Sequence, residues 1–237
     1  LSHDGLAFDF QAGGEFVLAR ATAGAPFQVQ ARQEPIGNQL SLSYNTAIAT
    51  EIGGEKVGIY ARHTPPLYKK DGFVDLLPGT SVAPAGGGLI ARQADGRYLL
   101  TYLSGETVRV DVVGAGDYAH LNVAMSLPPG RANQVEGVLG DADGVTANDI
   151  DLGGGAFMPQ PVTFDQLYRG AASFTEKWRV AQSLFVYTDG QTADTFRVEP
   201  YSKMPLSTPP NDPQHQALAA TECAACPELL RDTCMLD

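Results

Sequence analysis

Tyr98-Leu-Leu-Thr-Tyr102, the turn pair Ser104-Gly105, Thr107-Val-Arg-Val-Asp-Val112 and His120-Leu-Asn-Val-Ala-Met125 decide the class of this fold. Alternation of apolar with polar residues puts one face of each run in a core and the other in water. The β-branched and aromatic side chains suit a pleated surface, and Ser-Gly is turn chemistry. Working outward towards the N-terminus, the same texture recurs in Leu6–Phe10, Glu15–Arg20, Phe27–Ala31, Gln39–Tyr44 and Lys56–Tyr60. Gly13-Gly14, Gly53-Gly54, Asp71-Gly72 and Asp95-Gly96 punctuate these runs. About a dozen strands up to residue 139 predict a mostly β protein, an antiparallel two-sheet sandwich. The composition agrees, because 26 glycines and 16 prolines favour many tight turns, and 43% hydrophobic residues suffice for a core.

The balance of charge excludes one class of partner. Twenty-seven acidic against sixteen basic residues leave a formal charge of −11. Nucleic-acid binding needs clustered Lys and Arg, so no such partner is expected. Nor does any stretch approach the roughly 20 apolar residues of a membrane-crossing helix, so no insertion is expected.

The texture changes after Gly140. A loop rich in Asp, Asn and Gly runs to Gly155, and Thr163 to Phe185 then reads as helical. Thr163 is placed to cap that segment, with Gln166 three residues on completing a capping box and Gly170 breaking the run. Residues 188 to 213 are polar and proline-rich, which predicts a surface connection, and Gln214 to Cys234 suits one or two short helices. The expected division is a β domain over 1–187 and a connection with a small helical, cysteine-bearing tail over 188–237.

Gly140-Asp-Ala-Asp-Gly-Val-Thr-Ala-Asn-Asp-Ile-Asp151 is the segment that carries chemistry. Calcium takes six to eight oxygen ligands, and crowded carboxylates repel one another without a cation. The spacing is not that of an EF-hand, since Gly144 stands fourth in the loop and no Glu stands twelfth. A solvated acidic turn is the alternative, and the loop by itself leaves both readings open.

Two stretches together resemble a known family. Asp4-Gly-Leu-Ala-Phe-Asp-Phe10 followed by Gly14-Glu-Phe-Val-Leu18 is similar to the opening of von Willebrand factor type D domains. Gly137-Val-Leu-Gly-Asp-Ala-Asp-Gly144 with Asn148-Asp149 resembles that family's acidic loop, and Phe174 to Trp178 resembles its Phe-x-x-x-Trp element. The resemblance covers about residues 1 to 185. It implies that calcium is held by Asp4, Asp141, Asp143, Asn148 and Asp149 with the Val145 carbonyl, clamping the N-terminal strand to the 140–151 loop. Asp151 lies beyond the motif and is expected to be solvated. Gly14 and Leu139 stand where animal members carry cysteine, so this chain resembles a bacterial-type, cysteine-poor member. The self-cleaving Gly-Asp-Pro-His sequence of some members does not occur in it.

Cys223, Cys226 and Cys234 all fall near the C-terminus. A structural disulfide from Cys234 to Cys223 or Cys226 is the leading expectation, and a zinc or redox half-site at Cys223-Ala-Ala-Cys226 is the alternative. The odd cysteine leaves disulfide dimerisation open beside non-covalent self-association. His3, His63, His120 and His215 sit in no catalytic motif, and no Gly-x-Ser-x-Gly or phosphate loop occurs. The expectation is a non-enzymatic, secreted or surface module with a structural, adhesive or assembly role. Calcium-dependent binding of an extracellular protein or glycan is the first alternative, and a domain of a secreted enzyme the second.

Overall fold

The computed structural model describes residues 1–36, 39–188, 190–198 and Ala224. Leu1–Tyr201 gather into one compact unit and Ser202–Asp237 into a second, of which only Ala224 is described. The three cysteines, with the helices expected over 214–234, therefore lie outside the described residues.

Two antiparallel sheets build the first unit. β1 (Gly14–Ala21), β2 (Gln28–Ile36), β3 (Gln39–Ile52), β4 (Glu55–Tyr60), β5 (Leu67–Lys69) and β6 (Gly72–Val74) succeed one another in the first sheet. β7 (Thr80–Val82), β8 (Leu89–Arg92), β9 (Tyr98–Thr101), β10 (Thr107–Val113) and β11 (His120–Ser126) form the second sheet in the same meandering way. β12 (Val135–Glu136) then returns to the first sheet and pairs with the free side of β1. That return carries the chain from the far sheet back to the N-terminal strand, and the acidic loop follows directly.

Register explains the core. Phe16, Ala31, Ile48, Ile59 and Leu67 are aligned across β1 to β5 and all are buried. Ile90, Leu100 and Val108 are aligned across β8, β9 and β10 and are equally enclosed. Each Phe, Ile, Leu or Val in these rows contributes about 1.5–3 kcal/mol when fully buried, so the two rows hold the sandwich together.

The other face of the first sheet departs from the simple alternation. Arg32, Ala47 and Tyr60 are aligned on that face, and the sequence period places them in water. The chain beyond Trp178 covers them instead. Gln30 Nε2 donates to the Gln182 carbonyl (2.9 Å), its Oε1 accepts from Leu184 N (2.8 Å), and Tyr60 OH accepts from Val186 N (2.7 Å). Arg32 pairs with Glu15 at 2.9 Å while Glu15 Oε2 accepts from Ser183 Oγ and Tyr187 OH. Phe185 and Phe196 stand 4.6 and 3.6 Å from the Arg32 guanidinium, a desolvated cation–π box.

Three expectations are corrected by these arrangements. Leu6–Phe10 forms no strand, because Tyr168 OH, and no neighbouring strand, accepts from Gln11 N (3.1 Å) and donates to the Asp9 carbonyl (2.8 Å). Its rings still pack inward, with Phe10 at 5.0 Å from Phe16 and 5.5 Å from Phe174. The helical stretch resolves into α1 (Phe164–Tyr168) and α2 (Phe174–Trp178), with the Thr163–Gln166 capping box in place. Helix stops at Trp178, where Val180 N donates to the Glu15 carbonyl (3.0 Å) and Arg179 bridges Phe16. Finally, the first unit runs past residue 187, since α3 (Ala193–Phe196) supplies the ring over Arg32 and Val198 N reaches the Gly13 carbonyl at 3.5 Å.

Candidate metal centre

The site begins with a tight turn at the N-terminal end of the described chain. Ser2 N donates to the Leu6 carbonyl (2.9 Å), and Ser2 Oγ accepts from Leu6 N (2.7 Å). His3 N donates to the Leu139 carbonyl (2.7 Å), fixing this turn against the chain that leaves β12. That chain runs beside β1, with Val138 N and Leu139 N each donating to Val17 and Leu18 carbonyls at 3.0 Å. Gly140 then turns at φ +86°, a conformation favouring glycine. A Cβ here would also collide with Asp149 Oδ1, so glycine makes room for a carboxylate.

The loop beyond Gly140 folds on its own polar side chains. Asp143 Oδ1 accepts from Val145 N (2.6 Å) and its Oδ2 from Asn148 Nδ2 (2.9 Å). A 3-10 turn over Thr146–Asn148 follows and brings Asp149 back over Gly140. Ile150, only 1% exposed, anchors the return in the core. Two hydrogen bonds tie the loop to the N-terminal turn. Ser2 Oγ donates to Asp149 Oδ2 (2.7 Å), and Thr146 Oγ1 donates to the Asp4 carbonyl (3.4 Å).

Asp4, Asp141 and Asp149 thereby offer carboxylate oxygens that all lie within 4.8 Å of one another. Asp4 Oδ2, Asp141 Oδ1, Asn148 Oδ1 and Asp149 Oδ1 are buried atoms with no hydrogen-bond partner. At an effective dielectric constant near 20, two unit charges this far apart repel by about 3 kcal/mol. Asp149 is fully buried, and burial together with Asp4 and Asp141 pushes its carboxyl up to about 6 despite the Ser2 hydrogen bond. Asp141 is raised by burial and then by Asp143. Without a cation, this cluster holds protons unusually well. Carboxylate oxygens are the donors a hard cation takes, so Asp4, Asp141 and Asp149 could hold one.

Neither a family model nor a curated protein matches this chain.

Of the six residues singled out in the sequence, three form the close group: Asp4, Asp141 and Asp149. Asn148, in the same loop, has its Oδ1 buried without a hydrogen-bond partner. Asp143 lies outside the close group, with both oxygens engaged in shaping the loop. The Val145 carbonyl accepts from Asn148 N at 3.3 Å, and its side chain is half exposed. The element that brings Asp4 to the loop is a turn ahead of β1 and not a strand.

Asp151 overturns its expected solvation. It is 4% exposed, Oδ1 accepts from Gly153 N (2.7 Å), and Oδ2 is buried without a partner. Burial raises its carboxyl, and Asp141 and Glu136 add to the effect against the lowering pull of the Gly153 and Gly137 backbone N–H groups. Ser2 was also missed, because a serine two residues before a single aspartate is a weak signal in any sequence. Among the other histidines, His63 stacks on Phe73 with ring centroids 3.4 Å apart, and His120 stacks on Tyr44 at 4.7 Å. His3 is lowered by desolvation, partly offset by Asp4, and its Nε2 has no partner.

Proposed function

We propose that this chain is a calcium-stabilised β module of the von Willebrand factor type D kind, structural or adhesive within a secreted or surface protein. The observation carrying the reading is the convergence of buried, unpartnered carboxylate oxygens from Asp4 and from Asp141 and Asp149, residues more than a hundred positions apart in the chain. Calcium there would be held by Asp4, Asp141, Asn148 and Asp149, with Asp143 shaping the loop around it. Joining the N-terminal turn to that loop closes a long chain segment, so binding energy becomes folding energy. Millimolar calcium outside cells would fill even a modest site, which is why the reading includes an extracellular setting. Low cysteine content fits a fold held by its core and a metal.

The test is calorimetric titration of metal-stripped protein with calcium, with thermal unfolding in excess calcium and in chelator. One calcium per chain and a higher midpoint in calcium are expected, at about 2.7 kcal/mol when free calcium is a hundred times the dissociation constant. Asp149→Asn should abolish most of the response. No heat of binding, no retained metal and an unchanged midpoint would refute the reading.

A further inference from the structure

Among the described residues four strands end the two large sheets, and three of them are guarded. β12 is two residues long, and β6 and β7 are three residues each. β6 is also flanked by Asp71 and Asp75. Short lengths and charges of this kind keep an open edge from pairing with another chain. β11 has neither. Its seven residues, His120-Leu-Asn-Val-Ala-Met-Ser126, include no proline, lysine, arginine or carboxylate. Its register with β10 runs unbroken from Val113 opposite His120 to Thr107 opposite Ser126, so no bulge twists the edge away. Among the described residues no strand pairs with its outer side. Val123 and Met125 pack on the core from this edge yet stay only half-buried.

We infer that the β11 edge is a homodimer seam, where a second copy of this chain adds its own β11 antiparallel to the first, about a two-fold axis at Val123. A two-fold contact needs a surface that complements itself. Pairing about Val123 sets Leu121 opposite Met125 of the second copy, Val123 opposite Val123, and Asn122 opposite Ala124. The core-facing side chains then meet only one another, and the exposed Asn122 and Ala124 meet on the wet side. Ser126 of the second copy comes opposite His120, a small side chain beside the ring that Tyr44 stacks on at 4.7 Å. A register one residue off would set core-facing against wet side chains. Registers two residues off move the axis to Asn122 or Ala124, keeping the faces but not the charges. On β10, Arg109 lies beside Ala124 and Asp111 beside Asn122. Asp111 shares Arg97 with Asp95, a net acidic trio, whereas Arg109 has no ion pair among the described residues. About Val123 each row across the seam runs from the acidic trio through Asn122 to Ala124 and Arg109 of the second copy. About Ala124 it would end in two Arg109 side chains, and about Asn122 in two acidic trios. The attraction is weak over three strand spacings, but its sign selects one register. The seam is independent of the calcium reading and stands whether or not that site is filled.

Sedimentation of the full chain, with reductant present to keep the cysteines out of the association, reads the monomer–dimer balance against concentration. A reversible dimer is expected. Asn122→Lys combined with Ala124→Lys sets like charges directly opposite at two places and should weaken the dimer by roughly tenfold or more. Asn122→Glu combined with Ala124→Glu should do the same. Both positions are exposed, so neither double variant should shift the thermal midpoint, which is measured alongside. Mixing the two variants sets Lys opposite Glu and should restore dimers that neither forms alone. A parent chain that stays monomeric at near-millimolar concentration overturns the inference and leaves the edge to a strand of another protein. A dimer that persists unchanged in both variants overturns it in favour of a different surface. Variants that lose the dimer and do not regain it on mixing overturn the pairing about Val123.

Discussion

Metal-stripped protein should gain stability from Asp149 as the pH falls, the reverse of the usual behaviour of an acidic side chain. Its carboxyl is pushed from 3.8 to about 6 by burial and by the Asp4 and Asp141 charges. Between those values the native chain binds the proton and the unfolded chain does not. Stability from this residue is therefore full below the unfolded value and lost as pH rises through about 6. At 1.36 kcal/mol per unit the whole effect is about 3 kcal/mol, of which roughly 1.4 is recovered by pH 5. Asp141 and Asp151, both raised, act in the same direction. His3, lowered by burial, opposes them as pH drops below its ordinary value. Subtracting the unfolding curves of Asp149→Asn from those of the parent isolates the one group. That difference should rise between pH 7.5 and 5 by about 3–5 °C in midpoint, taking 2–4 °C per kcal/mol for a domain this size. In excess calcium the trend should invert, since the ligands must shed their protons to bind. A difference that stays flat, or falls, on acidifying the metal-free protein would refute the crowding of these carboxylates.

Arg131→Ala should cost about 3–5 kcal/mol by chemical denaturation, because it strands the fully buried Glu106 and releases the Ala23 and Ala25 carbonyls. Glu106→Gln should cost less, as Arg131 keeps those two carbonyls. Gly140→Ala should remove the calcium-dependent midpoint shift and lower metal-free stability by 1 kcal/mol or more, given its φ of +86° and the collision with Asp149. Phe196→Ala should cost about 2 kcal/mol in thermal unfolding by opening the box over Arg32. Thr163→Ala, which removes the cap from α1, should cost about 1 kcal/mol.

Much of this architecture was legible in the residues themselves. The runs at 98–102, 107–112 and 120–125 are consecutive neighbours in the second sheet, as alternation and the Ser104-Gly105 turn require. Leu6–Phe10 shows where the rule fails, because alternation reports which side chains turn inward and not who bonds the backbone. Glu15, Gln30 and Arg32 fail for a different reason. Their polarity reads as a wet face, yet Glu15 pairs with Arg32, and residues 182–187 with Phe196 bond or cover all three, a long-range cover invisible to local periodicity. At the site, Asp141 and Asp149 were readable from loop spacing, and Asp4 only through a second stretch far away in the chain. Asp143 shares the residue type of a ligand but spends both oxygens on the loop. Asp151 was placed in water because a carboxylate two positions past a motif carries no sign of the tryptophan and glycine that enclose it.

The meeting at Gly13 bears on how this unit would carry load. Its carbonyl accepts from Arg179 Nη1 at 3.1 Å and from Val198 N at 3.5 Å, so the strap that covers the first sheet is pinned beside the start of β1. Tension that drew the strap away from the sheet would peel these few bonds apart one after another. The paired strands behind it would feel little of that pull until the strap had lifted.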